Sequence, residues 1–128
     1  MSMQTKAVAS TDGGATWGAP VIVNPASTRD QFFAWLSTDD TSGRIGITYL
    51  QRSSGNYRAF VAVSMDGGAT WKGNKSIATA ASKFSNDGFG GGFMGDYIGN
   101  IWAGNTLHAS WIDTRTGTGQ DEWGGVAF

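Results

Sequence analysis

Ser10-Thr11-Asp12-Gly13-Gly14-Ala15-Thr16-Trp17 returns further along the chain as Ser64-Met65-Asp66-Gly67-Gly68-Ala69-Thr70-Trp71, with seven of the eight positions identical. An alternating apolar run precedes each copy (Ala7-Val8-Ala9; Phe60-Val61-Ala62-Val63), and another follows (Val21-Ile22-Val23; Ile77-Ala78). Short apolar runs on both sides of a turn-forming cluster predict a β-hairpin with the octet at its turn. Asp12 and Asp66 can accept hydrogen bonds from backbone N–H groups of their own loop, as Asx-turns do. The Gly13-Gly14 and Gly67-Gly68 pairs allow positive φ, where a Cβ would clash. Thr16 and Thr70 can return a hydroxyl hydrogen bond across the turn. Trp17 and Trp71 would then open the next strand with a large apolar anchor. On this reading the octet residues, Ser10 and Ser64 included, brace turns.

A second repeat lies outside the octets. Arg44-Ile45-Gly46-Ile47-Thr48-Tyr49-Leu50 aligns with Thr106-Leu107-His108-Ala109-Ser110-Trp111-Ile112, which places Tyr49 and Trp111 at equivalent strand positions. These segments lie further apart than the octets do. The difference implies an insertion of about 8 residues between the second octet and the second aligned strand, within Ala80 to Gly92. Strands are expected at 6–10 and 19–24 around the first octet. A four-stranded unit follows at 32–37, 44–51, 57–64 and 70–77, then strands at 97–103, 106–113 and 122–128. No window sustains a 3.6-residue apolar period, so helix is nearly absent. Four strands per repeat of about 50 residues is the arithmetic of a β-propeller blade. The chain then divides into a half-blade (1–24), a complete blade (30–78), a loop insertion (79–94) and a partial blade (95–128).

Composition agrees. The 128 residues are 40% hydrophobic and only 15% charged, with 20 glycines and 2 prolines, a mix that suits short strands and tight turns and suits helices badly. A net charge of −1 with scattered Lys and Arg gives no reason to expect nucleic acid or an anionic membrane as partner. No segment is long and apolar enough to span a bilayer. The absence of cysteine removes disulfides and Cys-ligated metals, and residues 1–6 have no signal-peptide pattern.

The octet resembles the Asp-box, S-x-D-G-G-x-T-W, of the bacterial neuraminidase repeat found in sialidases and other propellers, and the match is complete twice. Gly95-Asp96-Tyr97-Ile98-Gly99 together with His108 to Arg115 is similar, more loosely, to a recurring segment of sialidase-like propellers. The resemblance implies an all-β fold of antiparallel propeller blades in a six-bladed ring, and favours an extracellular or periplasmic location. At about two blades per chain the ring would have to be completed by oligomerisation, with a homotrimer favoured. An alternative is that the chain is a piece of a longer protein, with exposed edges.

Candidates for chemistry are few. The resemblance implies an arginine triad, a Tyr–Glu nucleophile pair and an Asp acid/base, yet Glu122 is the one glutamate and the Phe/Tyr-Arg-Ile-Pro element is missing. Arg44, Arg52, Arg58 and Arg115 lack that context, so no catalytic residue is assigned. Ligand-binding candidates are Asp96 and Tyr97, at the start of an expected innermost strand, and Asp113 and Arg115, at the end of the next. A surface Asp–Arg staple is the alternative for the second pair. His108 stands alone in a strand and is a poor metal ligand. Asp39-Asp40 and Asp121-Glu122 are acidic pairs at turns where calcium is conceivable. Trp35, Tyr49, Trp102 and Trp111 are expected to fill contacts between blades, and Gly90-Gly91-Gly92 reads as a flexible loop rather than a nucleotide site. No cofactor or metal is expected. The functional expectation is a structural repeat unit that self-associates into a closed propeller, with any ligand, such as a glycan, bound on its central face. The alternatives are a fragment of a sialidase-like glycoside hydrolase, or a carbohydrate- or protein-binding module.

Overall fold

The computed structural model describes residues 2–90, 93–117 and 119–127, and among these it contains ten strands, all paired antiparallel, and no helix. The all-β expectation therefore holds. Strands β1 (Lys6–Ala7) and β2 (Val21–Ile22) form a hairpin around the first octet. Strands β3 (Gln31–Thr38), β4 (Ile45–Ser53), β5 (Asn56–Ser64) and β6 (Lys72–Ser76) follow as a meander in that spatial order. Strand β7 (Ser82–Lys83) pairs with the start of β5, beyond the stretch that β6 covers. Strands β8 (Gly99–Ala103), β9 (Thr106–Asp113) and β10 (Asp121–Ala127) make a third sheet with β9 in the middle.

Several elements depart from the sequence reading, among them β6, expected from Thr70 and found from Lys72, and β4, which runs on to Ser53. The strands around the first octet are shorter than expected, because the octet and the Gly18–Pro20 stretch occupy the rest of the hairpin without ladder pairing. The strand expected from Tyr97 starts at Gly99. The insertion holds β7, whose Ser-Lys sequence carries no apolar alternation that could have announced it. Strand β3 also carries a bulge between Phe32 and Trp35, with Phe33 at φ 50°, a bend that an alternating pattern does not announce.

The central sheet is covered on both faces, and the period-2 geometry of strands sorts its side chains cleanly. Ile47 and Tyr49 of β4, with Phe60 and Ala62 of β5, pack against Val23, Ala7 and Trp71 on the hairpin side. The intervening positions point the other way. Leu50, Tyr57 and Ala59 pack with Ile98 and Trp111, and Val61 and Val63 with Leu107 and Trp102, all on the third sheet or its approach. At Gly46 the two sheets approach tightly, since a Cβ there would lie 2.8 Å from Leu107 Cδ2.

Buried polar groups stitch the layers. Asn24 Nδ2 donates to Tyr49 Oη (3.0 Å), which donates to Asn74 Oδ1 (3.0 Å), and Asn74 Nδ2 donates to the Val23 carbonyl (3.0 Å). Burial pushes the Tyr49 phenol up to about 12, the Asn24 bond opposing the shift. On the other face Asn100 Nδ2 donates to the Trp35 carbonyl and to Thr48 Oγ1, both at 2.9 Å. Tyr57 Oη donates to the Ile112 carbonyl at 3.2 Å. These bonds fix lateral register, which apolar packing alone would leave loose.

The meander puts the two octets, the 39–44 turn and the 104–105 turn at one end of the strands. The β4–β5 turn, the 24–30 connection and the 114–120 turn lie at the opposite end. No helix among the described residues is long and apolar enough to cross a membrane.

Candidate functional site

The two octets fold into the same hydrogen-bonded turn. Ser10 Oγ donates to Asp12 Oδ1 (2.7 Å) and accepts the Gly14 N–H (2.8 Å), while Asp12 accepts the Thr16 N–H (2.9 Å) and the Thr16 hydroxyl (2.6 Å). In the second copy Ser64 Oγ donates to Asp66 Oδ1 (2.8 Å) and accepts from Gly68 N (2.8 Å), and Asp66 accepts from Thr70 N (2.8 Å) and Thr70 Oγ1 (2.5 Å). Gly13, Gly14, Gly67 and Gly68 all have positive φ, between 70° and 92°. The Thr16 hydroxyl, then the Thr16 N–H and Ser10 bonds, lower the Asp12 carboxyl to about 2, and Thr70 with Ser64 does the same for Asp66. Each carboxylate is thus fully engaged within its own loop.

The tryptophans of the octets differ. Trp71 packs on Val23, Ile47, Tyr49 and Ala62, whereas Trp17 is 63% exposed and is not the apolar anchor expected of it. The cause is position: the second octet belongs to the central sheet and leans on the β1–β2 hairpin, and no described element lies on the corresponding side of the first octet.

The four ligand-binding candidates lie at the end opposite the octets, and the structure unites only two of them. Asp113, the last residue of β9, is fully buried and pairs with Arg115 (NH2 to Oδ2, 2.6 Å), also accepting the Arg115 N–H (2.8 Å) and Trp111 Nε1–H (3.2 Å). Burial pushes the Asp113 carboxyl up, but the bonds from Arg115, Ser82 and Trp111 outweigh it and hold the group below its ordinary value. Arg115 also donates to Thr79 Oγ1 (2.8 Å) and lies over the Trp123 ring, 3.9 Å from its centroid. The Asp113 carboxylate is therefore occupied by Arg115 and Trp111, and the terminal Arg115 nitrogens by Asp113 and Thr79, while Arg115 Nε is buried without a partner. Asp96 and Tyr97 are exposed, Tyr97 at 82%, and precede β8 rather than beginning it.

A second pair has the same construction at the octet end. Asp39 binds Arg44 (NH2 to Oδ2, 2.6 Å; Nε to Oδ2, 3.1 Å), the Ser42 hydroxyl and the Thr41 N–H. Ser42 and then Arg44 lower its carboxyl to about 2. Arg44 stacks over Trp102 at 4.3 Å and donates to Gly104 O (3.2 Å), tying the central sheet to the third. Asp39 thus has its oxygens occupied, and no group of three or more acidic or His residues that could hold a metal occurs among the described residues. Asp121 accepts from Thr116 Oγ1 (3.2 Å). Gly91 and Gly92, and the side chain of Glu122, lie outside what the structure describes.

Of the expected contact aromatics, Tyr49, Trp102 and Trp111 do pack between sheets, but Trp35 is 50% exposed. It sits on the edge strand β3, just past the bulge. His108 is exposed on β9. Two features escaped the sequence reading. Asp87, fully buried, accepts N–H bonds from Phe89 (3.0 Å), Gly90 (2.9 Å) and Phe93 (2.8 Å) and so shapes the insertion. Arg29 and Arg52 line one polar cleft, and the length of chain between them hid that meeting. No protein-family model matches the chain, and no curated protein matches it significantly.

Proposed function

We propose that the chain is a structural repeat unit of an Asp-box β-propeller that self-associates into a closed ring. One observation carries this reading: successive sheets stack face to face by the same rule. The β1–β2 hairpin covers the Ile47/Tyr49 face of the central sheet, and the central sheet covers the equivalent Leu107/Ala109/Trp111 face of the third. A ring of blades needs such a repeatable, directional interface, and head-to-tail association closes when the rotation per unit divides the circle.

The outward face of the third sheet supplies a surface for association. On the third sheet Ile101 is 66% exposed and lines an open cleft with His108, Ser110 and Gly124. Between the octets an apolar cleft remains open in the seam where Val8, Ala19 and Val21 of the hairpin meet Leu36, Ile45 and Trp71 of the central sheet and its octet. Apolar surface of this kind marks association sites. Asp96 and Tyr97, exposed at the end opposite the octets, are where a ligand of the ring would first be sought. Light scattering after size-exclusion chromatography tests the reading. A single species near three times 13.5 kDa is expected, and a stable monomer at micromolar concentration overturns self-association.

A further inference from the structure

We infer that the cleft between the 24–30 connection and the β4–β5 turn is a binding site for a tetrahedral oxyanion, a sulfate or phosphate group. The cleft measures about 760 Å³ and is lined by Arg29, Arg52, Ser2, Thr28, Ser53 and Ser54, with Asp30 as its single acid. Arg29 and Arg52 make no ion pair with a described residue, whereas Arg44 and Arg115 each hold an aspartate. Arg29 gives one N–H to Ser53 Oγ, and Arg52 gives its Nε–H to the Ser54 carbonyl (3.0 Å). The remaining guanidinium hydrogens have no described acceptor. Two cations facing one space repel each other, and an anion between them reverses the sign of that interaction.

The frame around the cleft is already built. Arg52 N donates to the Asp30 carbonyl (2.8 Å), Gln31 N to the Met3 carbonyl (2.9 Å), and Met3 N to Asp30 Oδ1 (2.9 Å). Ser27 Oγ accepts the Arg29 N–H (3.2 Å) and donates to Gln51 Oε1 (2.8 Å). Three chain segments are thus tied together before any ligand arrives, which lowers the ordering cost of binding. Donors come from all three segments and from hydroxyls as well as guanidiniums. That spread suits an anion with acceptors in every direction, and suits a planar carboxylate less well. Asp30 opposes the anion and leaves the cleft with a net charge of about +1.

The test uses the full chain at constant ionic strength. Sodium sulfate and sodium phosphate are titrated while the Arg Nε–Hε resonances are followed by NMR, with sodium acetate and chloride as comparisons. Saturable shifts at Arg29 and Arg52 are expected for sulfate and phosphate. R29Q and R52Q should each weaken binding at least about fivefold, R58Q outside the cleft should leave it unchanged, and D30N should tighten it about threefold. The gain from D30N separates a site from a mere loss of fold. Linear shifts shared with chloride overturn the proposal, as does binding indifferent to R29Q and R52Q. Acetate binding as tightly as sulfate overturns the tetrahedral assignment.

Discussion

Replacing Gly46 by Ala and Leu107 by Ala, singly and together, tests the face-to-face stacking where it is tight. Leu107 is fully buried between the central and third sheets. Its truncation empties part of a packed layer and should cost about 3 kcal/mol. Gly46 has no positive φ, so its backbone accepts alanine, and outside a packed interface the change would stabilise by about 0.5 kcal/mol through the unfolded chain. Here the new methyl would stand 2.8 and 2.9 Å from the two Leu107 methyls and 3.2 Å from Trp102 Nε1. Carbon pairs prefer about 3.5–4.0 Å, so Leu107 must leave its rotamer or the sheets must part, at about 1–3 kcal/mol. With Leu107 already alanine the two closest atoms are gone and only the milder contact with Trp102 Nε1 remains, so Gly46→Ala should be close to neutral. The expected coupling is therefore about 2 kcal/mol, of the sign that makes the double variant more stable than the sum of the singles. Urea unfolding of the wild type, both single variants and the double variant, followed by tryptophan fluorescence, measures it. Effects additive within about 0.5 kcal/mol would refute the reasoning, because they would mean that Gly46 and Leu107 do not meet.

Acid sensitivity follows from the turn carboxylates. Asp12, Asp39 and Asp66 are held at about 2 against an ordinary 3.8, so their stabilisation is full above about pH 4 and is lost as pH falls through about 2. Urea midpoints measured from pH 5 to pH 2 should fall less steeply in Asp12→Asn/Asp66→Asn than in the wild type, and equal slopes would refute the claim. Asp113→Ala should destabilise by about 2–3 kcal/mol, since it strands a largely buried Arg115 and the Trp111 N–H. Denaturant titration that finds the variant as stable as the wild type would contradict the buried pair. Tyr57→Phe removes the hydroxyl bond to the Ile112 carbonyl, with an expected loss of about 1 kcal/mol, and an unchanged unfolding midpoint would argue against that inter-sheet bond.

Much of the fold was legible because its signals are local. Asp12 and Asp66 bond to groups no more than four residues away, so the octet string carries the whole turn. Alternation along β4 and β5 announced strands, and Tyr49 and Trp111 were matched by repeat before their layers were known. What failed was non-local. Trp17 and Trp71 sit in near-identical octets, yet only Trp71 has a neighbouring hairpin to cover it. Strand β7 forms from Ser-Lys because β6 leaves the start of β5 open beside it, and edge pairing depends more on context than on propensity. For Asp113 and Arg115 the sequence left a ligand site and an Asp–Arg staple both open, and the structure shows the pair bonded to one another at the β9–β10 turn.

The amino-acid sequence by itself determined the strand alternation, the two braced turns and the repeat that relates them, since each depends on neighbours a few residues apart. The tertiary structure alone decided which faces meet, how the inter-sheet polar bonds pair and which arginines are left to share a cleft. Those outcomes join segments far apart in the chain, as when Asn100 reaches the Trp35 carbonyl or Asn24 the Tyr49 hydroxyl. Nothing within one segment records the identity of the distant partner whose charge, hydrogen bonds or bulk will complete it.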